Sequence, residues 1–233
     1  MFAYLSRVMP NQRVGVFVNT HRDADHMRGI KKLHAKYPIG RLYDSGVSGN
    51  TGTVEYQEYM DLRRTIPCDE VSDGMYMSGY PFVKILNGKR AGLTEINAQS
   101  IVIHVDHDGS SLLLAGDSDV EAWLKYIMQI SASQVSSLVL YASHHGSHSF
   151  FNADADKYYD YIKHIEAINP AITIISVGEG NPHGHPDPLA IAQYEKYSYG
   201  TVDSGKKIFR TDKHGNMKLE LHGQGTGTIY WNQ

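Results

Sequence analysis

The sequence predicts a single α/β domain, residues 1–233, in which helices cover sheets, and three observations carry that expectation. Short apolar runs such as VGVFVN (14–19), IVIHV (101–105) and AITIISVG (171–178) have the length and β-branched content of buried strands. Between them lie segments with apolar residues at helical spacing, which points to helices packed on sheets rather than to an all-β sandwich. Polar clusters rich in His and Asp follow directly on the apolar runs, where α/β proteins gather functional side chains.

Taken in order, VGVFVN forms a strand that runs straight into the turn HRDADH. After His26, Ile30, Leu33 and Tyr37 share one face, so a short helix is expected to stop before Pro38, whose ring disfavours helix in the preceding residue. Residues 44–99 offer least: turn-rich pieces at 46–52 and at Asn87-Gly88, and a helix around 54–64. IVIHV, DHDG and SLLLAG then predict two strands around an Asp-Gly turn, a pair that accepts the positive φ of a tight hairpin. SDVEAWLKYIMQI puts Val120, Trp123, Leu124, Ile127 and Met128 at helical spacing, with Ser118 and Glu121 placed as a capping box. SLVLYA (137–142) is a strand that leads into SHHGSHS.

A helix carrying Tyr158, Tyr161, Ile162, Ile165 and Ile168 is expected to end at Asn169-Pro170. AITIISVG is the next strand. Asp187 as N-cap and Pro188 as first helical residue then open a helix to about Tyr197. KKIFRT and MKLELH are expected to pair around DKHGN.

Composition narrows the function classes. A net charge of −3 gives no electrostatic footprint for tight duplex binding, although bound metal would add positive charge and keeps a nucleic-acid substrate open. Cys68 is the single cysteine, so no internal disulfide is available, which fits a reducing compartment. MFAYLSRVM lacks the basic start and apolar core of a secretory signal, and no apolar stretch reaches the roughly 18 residues of a membrane span, so a cytoplasmic protein without membrane attachment is expected.

Four polar clusters stand at strand ends: His21/Asp23/Asp25/His26, Gly116-Asp117, His144-His145 and His183/His185. Singly, each has an ordinary structural explanation. HRDADH suits a solvated loop or helix start, Asp117 a helix N-terminus, and His183 and His185 an exposed Gly/Pro-rich loop. Jointly they would supply about five to seven nitrogen and oxygen ligands, the set a binuclear centre of a borderline transition metal needs. Two adjacent divalent ions bridged by a carboxylate can hold a water, lower its pKa towards neutrality and present hydroxide to phosphorus or a carbonyl carbon.

Together these segments resemble the metallo-β-lactamase fold, an αββα sandwich, and within it the ComEC/Rec2-like metallohydrolase branch. THRDADH resembles the signature T-H-x-H-x-D-H, with Asp23 in place of the second His, as in the branch's H-x-D-x-D-H. NAQSIVIHVDHDGSSLLLAGD is similar to the branch's N-x-x-S segment ending in G-D, and HHGSHS to its H-H-G-S motif. NPAITIISVGEGNPHGHPDP resembles its P-x-x-x-I-I-S-V-G…G-H-P stretch, and IFRTDKHGNMKLEL its closing hairpin. The resemblance runs from Val14 to about Leu221 and weakens between Arg41 and Gln99.

The resemblance implies a hydrolase with two divalent ions, zinc or manganese, acting on phosphodiester bonds through a metal-bridging hydroxide, with nucleic acid among its candidate substrates. It implies that His21 and Asp23 bind one ion, that Asp25 and His26 bind the other, and that Asp117 bridges them. His144 or His145 would complete one site. His185 would sit at the mouth as ligand, substrate contact or acid. Asp25, Asp117 and His185 are thus the candidate catalytic residues. Asp23 makes its site harder and richer in oxygen, which favours manganese more than an all-histidine site would. The family's opening strand hairpin with its D-V-G-Q-G-D type motif has no counterpart before residue 14, so a fold short of its first strands, with an open sheet edge suited to a partner or a homodimer, is expected.

Several tempting features carry less. HVDHDG is read as a hairpin turn, GQGTG precedes no helix and so is no dinucleotide loop, and no G-x-S-x-G elbow exists. Cys68 stands beside Asp69 and Glu70, which disfavour its thiolate. Tyr56, Tyr59, Tyr76 and Tyr80 are read first as packing and second as a stacking surface. Two alternatives to the phosphodiesterase remain: a small-ester or lactone hydrolase on the same fold, and a non-catalytic interaction module that keeps the fold.

Overall fold

A computed structural model describes residues 2–9, 13–49, 51–89, 95–129, 132–152 and 159–231. After a helix at Phe2–Val8, β1 (Val14–Val18), β2 (Ile39–Asp44) and β3 (Cys68–Glu70) form a parallel sheet in that order. Parallel neighbours need a crossover, and helices supply it. Ala24–Met27 and Ile30–Lys36 follow β1, and Val54–Thr65, capped by the Thr53 side chain, follows β2. These helices lay Met27, Ile30, Tyr56 and Tyr59 on Ile39 and Leu42. The other face of the sheet, with Val16, Val18 and the fully buried Tyr43, packs on Ile85 and Ile103 of a second sheet and on Ile101 just before one of its strands.

That second sheet contains β4 (Tyr76–Met77), β5 (Tyr80–Asn87), β6 (Val102–His107), β7 (Ser110–Leu114), β8 (Val139–Tyr141), β9 (Ile172–Ile175) and β10 (Ile208–Arg210). Its spatial order is β10-β9-β8-β7-β6-β5-β4, antiparallel from β4 to β7 and parallel from β7 to β10. Period-two alternation sorts its side chains. Leu113, Leu140 and Ile175 face outer helices at Val120–Lys125, Lys163–Ile168 and Pro188–Tyr197, around Trp123, Phe150 and Tyr194. Val139, Ile172 and Ile174 face inward, towards the hairpin of β11 (Met217–Gly223) and β12 (Thr226–Trp231), which brings Leu219, Ile229 and Trp231. The layers therefore run helix, sheet, sheet, helix: an αββα sandwich.

Most local expectations hold. The Asp108-Gly109 turn joins β6 to β7 with φ of 49° and 81°, and Asp187 caps the Pro188–Tyr197 helix by accepting from the Leu189 amide. Others are corrected. The cap of Val120–Lys125 is Asp119, which accepts from the Glu121 and Ala122 amides; Ser118 instead donates to the Ala115 carbonyl and accepts from the Trp123 indole. KKIFRT and MKLELH do not pair. β10 lies parallel to β9, the chain turns through a helix at Thr211–His214, and β11 pairs with β12. GQGTG supplies that hairpin's turn, with Gln224 and Gly225 both at positive φ.

Asn87 ends the long strand β5 instead of opening a turn, and its buried amide donates to the Ser100 carbonyl. Tyr56 and Tyr59 are core, as read, whereas Tyr76 and Tyr80 are exposed. Tyr158 lies outside the described residues. Among the described residues, no helix is long and apolar enough to cross a membrane.

Candidate metal centre

The chain leaves β1 through a segment pinned to both sheets. The Asn19 amide donates to the Tyr43 carbonyl of β2 at 2.9 Å, and the Ile101 amide donates to the Thr20 carbonyl at 2.8 Å. His21, Asp23, Asp25 and His26 follow at once. Asp23 takes the N-cap position of Ala24–Met27 (φ −90°, ψ 153°) yet makes no side-chain cap bond, so its carboxylate is not engaged by the helix. Asp117 follows β7. His144 and His145 follow β8, both in the left-handed region with φ of 47° and 55°. Two consecutive non-glycine residues there cost on the order of 1 kcal/mol or more each, strain that persists where surrounding structure demands it and that turns both rings inward.

The rings and carboxylates converge on Asp117 Oδ2. His26 Nε2 lies 3.1 Å from it, and the Nε2 atoms of His21 and His144 each lie 3.9 Å away. Asp25 Oδ2 stands 3.5 Å from His26 Nε2 and 3.8 Å from His145 Nε2. One ligand atom from each of Asp25, His26, Asp117 and His145 fits within 4.8 Å of the others. The choice between His144 and His145 was open from the sequence, and both rings face the cluster: His145 Nε2 stands 3.8 Å from Asp25 Oδ2 and His144 Nε2 stands 3.9 Å from Asp117 Oδ2. Asp23 senses the charges of Asp25, His26, Asp117 and His144. His185 reaches the rim, its ring 5.2 Å from that of His144, while His183 is exposed.

Behind the rings stands a row of hydrogen-bond partners. Ser100 Oγ accepts from the Asp117 amide at 3.0 Å and lies 3.0 Å from His21 Nδ1, where Thr20 Oγ1 is also 3.1 Å away. His145 Nδ1 donates to the Ser176 carbonyl at 2.9 Å, and His144 Nδ1 lies 3.2 Å from Ser149 Oγ and 3.5 Å from Asn97 Nδ2. Such partners fix ring orientation and the nitrogen presented to a metal. Asn97 and Ser100, the first and last residues of the N-x-x-S segment, are thus partners of the rings, roles the motif alone does not reveal.

The electrostatics fit a cation. Burial lowers His21 to about 4, reinforced by the neighbouring His26 charge, so its ring stays neutral as a ligand must. With the proton on Nδ1 facing the two hydroxyls, its Nε2 is a buried nitrogen without a hydrogen-bond partner, aimed at the cluster. Burial also acts on Asp117 to raise its pKa, but the His26 hydrogen bond and the charges of His26, His21 and His144 outweigh it and hold the carboxyl ionised. Burial and then the Asp25 charge push Asp23 up.

The Asp25 carboxylate, 3.8 Å away, raises His145 to about 9, and the nearby imidazole in turn keeps Asp25 well below the usual carboxylate range. His26 rises despite burial because Asp117 accepts from it. Two carboxylates and four imidazoles facing one another, with no arginine or lysine ion-paired to either carboxylate among the described residues, are the donor set of a hard to borderline divalent ion. Cys68, half-buried and raised to about 11 by burial and the Asp44 charge, takes no part.

No protein-family profile matches the chain, and comparison with curated proteins gives no significant match. The solved structure of Igni18, a metallo hydrolase from the hyperthermophilic archaeon Ignicoccus hospitalis, is similar in fold. The TM-score is 0.51 at 14% sequence identity, over 97% of this chain and 83% of that one. At that identity the likeness concerns the fold, and the chemistry must come from the side chains above.

Proposed function

We propose that this protein is a metal-dependent hydrolase of the metallo-β-lactamase superfamily, of the ComEC/Rec2-like kind, that cleaves phosphodiester bonds. The observation that carries this reading is Asp117 Oδ2, a buried carboxylate oxygen with three imidazole Nε2 atoms at 3.1–3.9 Å and only one hydrogen bond among them. The similar fold of a metallo hydrolase supports it.

Asp25, His26 and His145 would hold one divalent ion, His21, Asp23 and His144 the other, with Asp117 shared. Bound divalent ions would supply Lewis-acid activation of water and neutralise charge on phosphoryl oxygens. The residues do the rest. Hydrolysis forms a bond from water oxygen to phosphorus, breaks the bond to the leaving oxygen, and moves a proton from the water to that oxygen. Asp25, held ionised beside His145, would orient the water, and His185 at the rim would contact the leaving group and carry the proton to it. Asp23 in place of an imidazole would make its site harder, which favours manganese more than an all-histidine site would.

The test is metal content by plasma mass spectrometry after reconstitution, paired with hydrolysis of bis(p-nitrophenyl) phosphate. About two ions per chain with turnover are expected. Ions without turnover on phosphodiesters but with turnover on lactones would move the assignment to carboxyl esters, and no ions would end it.

A further inference from the structure

A second buried carboxylate lies behind the candidate centre. Asp44 ends β2 and is fully buried. Its Oδ2 accepts from Arg22 Nη2 at 2.8 Å, from Arg63 Nε at 2.9 Å and from the Tyr59 hydroxyl at 2.7 Å, while Oδ1 accepts from the Gly46 amide at 2.8 Å. Arg22 stands between His21 and Asp23, inside the turn that carries four candidate ligands, and only 4% of it is exposed. Asp44 is the only carboxylate paired with Arg22 among the described residues, and the guanidinium also lies 5.8 Å from the Tyr59 ring centre. From the other side Gly49 packs so closely that a Cβ there would overlap the Arg22 carbonyl oxygen.

We infer that Asp44 is a positioning residue for the metal turn, acting through Arg22. This rests on the metal-centre reading above. Two physical reasons support it. Between β1 and the helix at Ala24–Met27 the turn has little regular hydrogen bonding of its own, so side-chain anchors must fix where His21 and Asp23 point. A buried guanidinium beside two divalent ions would also repel them unless a carboxylate neutralises it. Asp44 meets both needs with one group, and the Tyr59 hydroxyl on the Val54–Thr65 helix fixes the carboxylate at 2.7 Å independently of Arg63.

The experiment compares two truncations of Asp44's partners in the full chain, reading manganese and zinc affinity by competition with a chromophoric chelator and the melting temperature of the chelated protein. Arg22→Met removes the anchor of the turn and leaves Asp44 paired with Arg63 and Tyr59, so the fold is kept. Manganese and zinc affinity should fall roughly 10- to 100-fold. Arg63→Met removes an equal charge from the helix side and should lower the melting temperature while leaving metal affinity within about twofold of the parent. The inference is overturned if Arg22→Met binds metal like the parent, or if both variants lose affinity equally, since the effect would then pass through general stability. A parent protein that binds neither metal would overturn the metal-centre reading itself, an outcome distinct from either of these.

Discussion

Asp117 and Asp44 are both buried carboxylates at the ends of neighbouring β-structures, both held ionised, and they are built in opposite ways. Around Asp44 two arginines, a tyrosine hydroxyl and a backbone amide approach to 2.7–2.9 Å at their nearest atoms, so the charge is fully answered from within the chain. Around Asp117 three imidazoles stand at 3.1–3.9 Å, one hydrogen bond is made, and a buried His21 nitrogen goes without a partner. Burial is common to both and therefore decides nothing. What differs is completeness: Asp44 is closed by donors of its own chain, whereas Asp117 keeps one hydrogen bond and faces a buried nitrogen without a partner, an arrangement suited to a group from outside.

The comparison can be broken at several levels. Asp117→Asn should remove the bound ions and reduce phosphodiester hydrolysis by at least about 10³-fold while the melting temperature of chelated protein stays near the parent's. Metal analysis and turnover check it, and unchanged activity would sink the shared-ligand role. Asp44→Ala should instead lower the stability of the chelated protein itself, by about 3–5 kcal/mol in denaturant unfolding, because it strands a buried arginine, and should weaken metal binding through the loosened turn. If Asp44→Ala is as stable as the parent, the contrast fails on the structural side.

Chelation of the parent should lower its melting temperature by about 5–10 °C when the free ion had stood at roughly 100 times its dissociation constant, worth about 2.7 kcal/mol. Calorimetry with and without chelator measures this shift.

The pH dependence of the chelated protein sharpens the contrast further. His21, lowered to about 4, and His164, lowered to about 3 by burial, bind fewer protons folded than unfolded, so the stability they allow is present above pH 6.5 and is lost as the pH falls below it. His145, raised to about 9 chiefly by the Asp25 carboxylate 3.8 Å away, contributes stability that is full below pH 6.5 and is lost as the pH rises through about 9. Asp44, lowered because its three partners outweigh burial, loses its contribution only below its unfolded value of 3.8. A melting temperature that peaks near pH 6–7 is therefore expected, and a flat profile from pH 4 to 9 would contradict the histidine environments. The smallest effect belongs to the Arg41–Asp69 pair at the surface. Asp69→Asn should change stability by less than about 1 kcal/mol, separating burial from mere pairing.

Much of the fold was legible because its signals are local. β1, β6, β7, β8 and β9 are short apolar runs, Asp-Gly closes the hairpin it should, and Asp187-Pro188 opens the helix it should. β5 was not legible: it begins with exposed Tyr80, Pro81 and Phe82 and turns inward only at its end, so it shows neither alternation nor a continuous apolar run. The parallel placement of β10 beside β9 was hidden too, because MKLELH offers an adjacent antiparallel partner that local pattern alone prefers.

The sequence by itself determined the donor types and the turns that carry them, since His21, Asp23, Asp25 and His26 lie within six consecutive positions and His144 and His145 are adjacent. Only the tertiary structure decided that both His144 and His145 face the cluster, that Ser100 steadies His21 across 79 residues of chain, that His26 meets Asp117 across 91, and that Asp44 answers Arg22. The physical reason is range. Backbone preferences and hydrophobic period act over a few residues and leave a sequence signature, whereas the pairing of buried charges depends on which distant strands the core brings side by side.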